Sequence, residues 1–287
     1  MTTDFRTGAP APIHYLLLKR VLAAVALLTL WELLPRCGLV EAFFIPPFST
    51  ILITIKELAE TGELATHTLL SLERAFSGLL VATVIGLPLG LALGGWFPRL
   101  QHAVEPLMEL FAQANPVVLA HIIVFFLGIG QTARIFIIAW LCVWPIAFSA
   151  ISAIGAVDPQ LLKAARSLGL GRRGVFVKVV LPSAAQPIFT SLRLAAGFAF
   201  IMLIASEMMG ANAGLGWLVA QSQETLQVNR VFAGTVVITF FAVVTDSLLR
   251  ILETWCVRWK PSENDYDPVS TFSTKSGLIR RLPICDK

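Results

Sequence analysis

The chain has 287 residues; 56% are Ala, Val, Ile, Leu, Met, Phe, Trp, Tyr or Cys and only 14% are charged, and its mean hydropathy is +0.77. Soluble chains carry roughly 25% charged residues, so this one cannot cover its surface with polar groups and needs lipid as its solvent, which excludes a soluble enzyme, a disordered tail protein and a nucleic-acid module. The net charge of +4 is too small for a nucleic-acid footprint, and Cys37, Cys142, Cys256 and Cys285 are far apart with no CxxC, against a disulfide framework or zinc site.

A helix crossing about 30 Å of hydrocarbon needs about 20 mainly apolar residues. Six segments qualify, so the expected fold is all-α, a membrane protein with about six transmembrane helices. The first covers 16–39. Lys19 and Arg20 precede its apolar run as in a signal peptide, but Pro35-Arg36-Cys37 closes the run with no small-residue cleavage box, so an uncleaved span is expected. After Pro46-Pro47, residues 48–60 place Ile51, Leu52, Ile55, Leu58 and Ala59 on one helical face and Lys56, Glu57 and Glu60 on the other, the pattern of a short interfacial helix.

The second span, 70–97, carries Gly86, Gly90 and Gly94 at intervals of four, a bare stripe against which another helix can pack closely; Pro88 predicts a kink. The third, 104–127, holds Glu109, Gln113, Asn115 and His121. Polar groups inside a span are costly and are candidates for a solute path. Pro116 frees a backbone carbonyl and restricts Asn115, so a local break is expected there, and broken helices near the midplane often line such paths. The fourth span covers 133–156, the fifth 184–209, with Arg193 and Glu207, and the sixth 231–256. Residues 259–287 turn polar, with Pro261-Ser262-Glu263-Asn264-Asp265 at their start, as in a disordered tail.

Lysines and arginines near span ends set orientation. With the N-terminus inside, the inner segments hold Arg6, Lys19, Arg20, Arg99, Lys163, Arg166, Arg172, Arg173, Lys178, Arg258 and Lys260, against Arg36, Lys56, Arg134 and Arg230 outside. Both termini are therefore expected in the cytoplasm. Three parts are expected: 1–67, an N-terminal span plus extracytoplasmic interfacial helix; 68–258, the transmembrane domain, with an inner loop at 157–183; and 259–287, a cytoplasmic tail.

The inner loop runs Asp158-Pro159-Gln160-Leu161-Leu162-Lys163-Ala164-Ala165-Arg166-Ser167-Leu168-Gly169. Asp158 suits an N-cap and Pro159 the first helical position. Leu161, Leu162, Ala165 and Leu168 form an apolar stripe, and Gly169 can take the left-handed stop. Such a helix can enter a partner's groove or pack on its own bundle. The stretch 169–174 also fits GxGxxG, but it follows a helix rather than a strand, and no GxxxxGK[ST] is present for a P-loop.

The spacing Lys163-Ala164-Ala165, Gly169, Val179, Leu181-Pro182 resembles the EAA loop of importer-type ABC-transporter permeases: Glu-Ala-Ala, three residues, Gly, nine residues, Ile, one residue, Leu-Pro. Lys163 stands where that motif has Glu, and Val179 where it has Ile. The resemblance extends over about 68–258. Gly86-Leu87-Pro88-Leu89-Gly90, Phe126-Leu127-Gly128-Ile129-Gly130, Ala205-Ser206-Glu207-Met208-Met209-Gly210 and Gly214-Leu215-Gly216-Trp217 are similar to the nitrate, sulfonate, taurine and bicarbonate branch, as is Ile45-Pro46-Pro47.

The resemblance implies a permease subunit in the bacterial inner membrane, forming the path of a small solute, an anion such as a sulfonate, nitrate or bicarbonate. It implies a pair of such subunits, two ATPase subunits that hold the ATP and magnesium, an extracytoplasmic solute-binding protein, and no cofactor, metal or enzymatic activity in this chain. It assigns Lys163, Ala164, Ala165, Leu168 and Gly169 to ATPase coupling. Gln113, Asn115, His121 and Glu207 are the candidate path residues. The alternative is a secondary transporter driven by an ion gradient, for which Glu109 and Glu207 would be the coupling carboxylates. An intramembrane protease would need a nucleophile beside a base, and only His121 lies well inside a span.

Overall fold

In a computed structural model that describes residues 13–41 and 43–257, every regular element is helical. In chain order these are α1 (Ile13–Arg36), α2 (Phe48–Glu60), α3 (Glu63–Gly95), α4 (Pro98–Gln113), α5 (Pro116–Leu127), α6 (Gln131–Gly155), α7 (Pro159–Ser167), α8 (Arg172–Val175), a π-helical turn at Phe176–Val180, α9 (Leu181–Met208), α10 (Leu215–Glu224) and α11 (Val228–Cys256). The tail expected at 259–287 lies outside the described residues.

Among the described residues, four helices are long and apolar enough to cross a membrane: α3, α6, the continuous run from Arg172 to Met208, and α11. The expected third span differs. It breaks at Asn115-Pro116, and α4 and α5 meet there at 86°. Proline deprives the ladder of an N–H and pushes the preceding residue out of the helical region; Asn115 sits at φ −59°, ψ 116° and its side chain caps α5 by accepting from the Val117 N–H at 3.0 Å. With 12 residues, α5 is about 18 Å long, too short to cross alone.

The core is the packing of α3 on α6 and of α6 on α9. The glycine stripe does what its spacing predicts. A Cβ on Gly90 would come within 2.5 Å of the Ala147 carbonyl oxygen, and one on Gly86 within 2.7 Å of that of Val143. The two backbones are in direct contact, and the bare faces are what permit it. The predicted kink at Pro88 does not interrupt the helix, which runs through it. Around this seam Ala82, Ile138, Cys142, Ala195 and Leu203 are buried.

α2 is where it was expected, but its apolar face is turned onto protein. Ile51 and Leu58 are buried against Leu218 and Ala233, while Leu52 points outward. α1 joins the bundle at its C-terminal end. Glu32 there accepts from the Ser49 N–H at 3.0 Å and the Ser49 hydroxyl at 2.8 Å, satisfying one of the donors left open at the start of α2. The Trp31 indole donates to the Pro46 carbonyl.

Candidate functional site

Two ends of the bundle carry the polar chemistry. At one end α6 passes through Ala156 and Val157 into α7. Asp158 caps α7, accepting from the Gln160 N–H at 2.8 Å, and Pro159 takes the first helical position. The helix stops at Gly169, whose φ of +81° is the left-handed conformation that favours glycine.

The apolar stripe of α7 divides between two faces. Ala165 is buried with Val157, Val175 and Val180, and Leu162 packs against the same cluster. Leu161, Ala164 and Leu168, at i, i+3 and i+7, face outward, and Leu168 is 82% exposed. Lys163 is also exposed, and among the described residues it has no ion-pair partner. The helix thus does both things its pattern allowed: one face anchors it and the other presents an unfilled apolar surface. The anchor continues where Phe176 lies on Trp96 at the end of α3, ring centroids 4.1 Å apart.

At the opposite end lies a buried ion pair. Glu207 near the end of α9 has no exposed side-chain surface. It accepts from Arg74 Nη1 of α3 at 2.6 Å, from the Ser71 hydroxyl at 2.8 Å and from the Gly216 N–H at 2.8 Å. The Ser71 oxygen accepts in turn from the Leu215 N–H, and His67 Nδ1 accepts from the Gly214 N–H. Arg74 also donates to the Ala213 carbonyl and to Gln131 of α6. One guanidinium therefore joins α3, α6, α9 and the turn into α10. Gly214, at φ +130°, cannot be replaced easily, since a Cβ there would fall on the Glu207 carboxylate.

Of the candidate path residues, Gln113, Asn115 and His121 are exposed around the α4–α5 bend. His121 Nδ1 is 2.9 Å from the Val117 carbonyl one turn back. Glu207 is not with them: it is sealed inside protein, and its lone pairs are occupied by Arg74, Ser71 and Gly216. Sequence reasoning missed Ser71, Arg74 and Gln131. The available signal was Arg74, a charge near the start of an apolar span that needs a buried partner. Asp246 and Glu253 of α11 were missed likewise; both pair with Arg193 of α9, Asp246 at 2.8 Å and Glu253 at 3.5 Å. Between α6 and α9 an open groove of 720 Å³ is edged by Ser149, Ser183, Gln186 and Thr190.

Long apolar helices around a close-packed seam, a helix pair broken at 86° and a short capped helix with an exposed apolar flank describe a multi-pass membrane protein. The family follows from comparison. Residues 86–257 match the binding-protein-dependent transport system inner membrane component family, and the chain belongs to it. It is 29% identical over 253 residues to the putative aliphatic sulfonates transport permease protein SsuC of Bacillus subtilis, covering 88% of this chain and 91% of that one. It is 32% identical over 238 residues to the taurine transport system permease protein TauC of Escherichia coli, covering 81% and 86%. Among solved structures, a chain of the inward-facing MetNI methionine ABC transporter superposes with a TM-score of 0.60 at 20% identity, over 70% of this chain and 97% of that one; this similarity shows the fold. The chain is a multi-pass inner-membrane permease, as the resemblance implied.

Proposed function

We propose that the chain carries a small organic or inorganic anion, a sulfonate or a close analogue such as taurine, across the inner membrane, driven by ATP hydrolysis in a separate subunit. The observation that carries the reading is the outward face of α7. Leu161, Ala164 and Leu168 are exposed on a helix that is capped, stopped and anchored, so its position is fixed before any partner arrives. A preorganised apolar helix face of this kind fits a groove in another protein. Lys163 is exposed on the same helix. Gly169 ends the helix and returns the chain to the bundle. The names of the relatives support the substrate class.

In this reading two permease copies share two cytoplasmic ATPase subunits, which hold ATP and magnesium, and an extracytoplasmic binding protein delivers the solute. The surplus of Lys and Arg in the inner segments of the sequence supports a cytoplasmic α7 end and cytoplasmic termini. Residues 68–258 form the transporting unit, 1–67 a peripheral span and helix, and 259–287 a cytoplasmic tail. Gln113, Asn115 and His121 line the solute path at the α4–α5 bend, where amide donors and the N-terminus of α5 favour a passing anion. Glu207 serves the outer end by holding it together. Its pairing with Arg74 also weakens the gradient-driven alternative, since a carboxylate already neutralised inside protein has no free site for a coupling ion.

Extraction of the C-terminally tagged chain in mild detergent tests the proposal. An ATPase subunit should copurify in stoichiometric amount, with two permease copies in the particle. A chain that purifies alone and supports ATP-independent uptake in vesicles would refute it.

A further inference from the structure

A cavity of 560 Å³ opens between the end of α3 and the α7–α8 loop. Its polar lining is two guanidiniums, Arg166 of α7 and Arg172 of α8; Trp96 and Phe176 form an aromatic wall, and Leu162 and Val175 stand among its apolar lining. Arg172 reaches the Trp96 carbonyl at 3.4 Å. Neither arginine has a carboxylate within ion-pair distance among the described residues. Two cations on the edge of a cavity with aromatic and aliphatic walls, with no carboxylate paired to them among the described residues, make an amphipathic site suited to an anionic ligand.

The depth of the cavity fits one kind of ligand. α3 has 33 residues, about 50 Å of helix, against about 30 Å of hydrocarbon. A helix this long overhangs the hydrocarbon, and a Trp96 end at the headgroup level accords with the concentration of tryptophan rings there. Guanidinium groups match phosphate oxygens in pairs, and the apolar lining suits the upper part of an acyl chain. Arg166 lies one turn from Leu162, on the flank away from Leu161, Ala164 and Leu168, so an occupant leaves the outward face of α7 free. We propose that this cavity binds the phosphate headgroup of an anionic membrane phospholipid, and that the bound lipid ties α7 and α8 to the end of α3.

The test uses the full chain in nanodiscs of phosphatidylcholine alone or mixed with phosphatidylglycerol. Phosphatidylglycerol should raise the unfolding midpoint of the wild type and remain bound in native mass spectrometry. The double variant Arg166→Gln/Arg172→Gln should lose the midpoint rise and retain the lipid at least about tenfold less well, because two charge-assisted contacts to the phosphate are lost. Both side chains are exposed, so the variant should fold. Arg173→Gln removes the same charge from an exposed neighbour outside the cavity and should keep the rise. The proposal is overturned if the double variant responds like wild type, or if Arg173→Gln loses the response equally. It is also overturned if inorganic phosphate in lipid-free detergent reproduces the stabilisation, since the ligand is then free phosphate.

Discussion

Replacing Arg74 by methionine keeps much of the side-chain volume and removes the charge that neutralises Glu207. The carboxylate is left fully buried, with only the Ser71 hydroxyl and the Gly216 N–H as donors. Breaking a buried pair by removing one partner costs about 3–5 kcal/mol. At about 2–4 °C per kcal/mol, the unfolding midpoint in detergent should fall by about 6–20 °C. The turn before α10 should loosen as well, since the Ala213 carbonyl loses its donor. The double variant Arg74→Met/Glu207→Gln removes both charges and should recover at least half of the loss. Thermal unfolding followed by circular dichroism on all four corners of the cycle gives the coupling. A single variant within about 1 °C of wild type, or a double variant no better than the single, would refute the view that this pair holds the end of the bundle.

Gly90→Leu should abolish accumulation of folded protein, because even a Cβ is too close to the Ala147 carbonyl and overpacking costs about 1–3 kcal/mol or more; membrane levels and size-exclusion profiles check this. Gly169→Val should leave those levels normal, since nothing lies within 4 Å of a Cβ there. It should nevertheless lose substrate-stimulated ATP hydrolysis, because a β-branched residue cannot hold φ +81°; normal stimulated uptake would contradict it. Cysteines introduced at Gln113 and Asn115 should react with small aqueous thiol reagents in at least one nucleotide state, and silence in every state would remove both from the solute path.

Features set by local chemistry were legible in the sequence. Asp158, Pro159 and Gly169 bound α7 where capping rules place them, the glycine stripe finds its close partner, and the break falls at Asn115-Pro116. What escaped depends on three-dimensional neighbours. Proline announces a local break within one span but not its angle, so the 86° bend between α4 and α5 is not legible in the sequence. The apolar stripe of α7 read as a single face because periodicity cannot say which flank meets the bundle; only packing separates Leu162 and Ala165 from Leu161 and Leu168. From sequence Glu207 stands as a path candidate because its partner Arg74 lies 133 positions away. A span charge signals that a partner is required without naming it.

Photo-cross-linking tests most directly the proposed contact between the outward face of α7 and an ATPase subunit. Benzoylphenylalanine is placed at position 168, on the outward face, and in a second variant at position 162, on the inward face. Irradiation in native membranes should join the first to a cytoplasmic ATPase subunit and the second to its own chain or to lipid in the adjoining cavity, not to the ATPase. Equal labelling from both positions, or no ATPase adduct from position 168, would contradict the account.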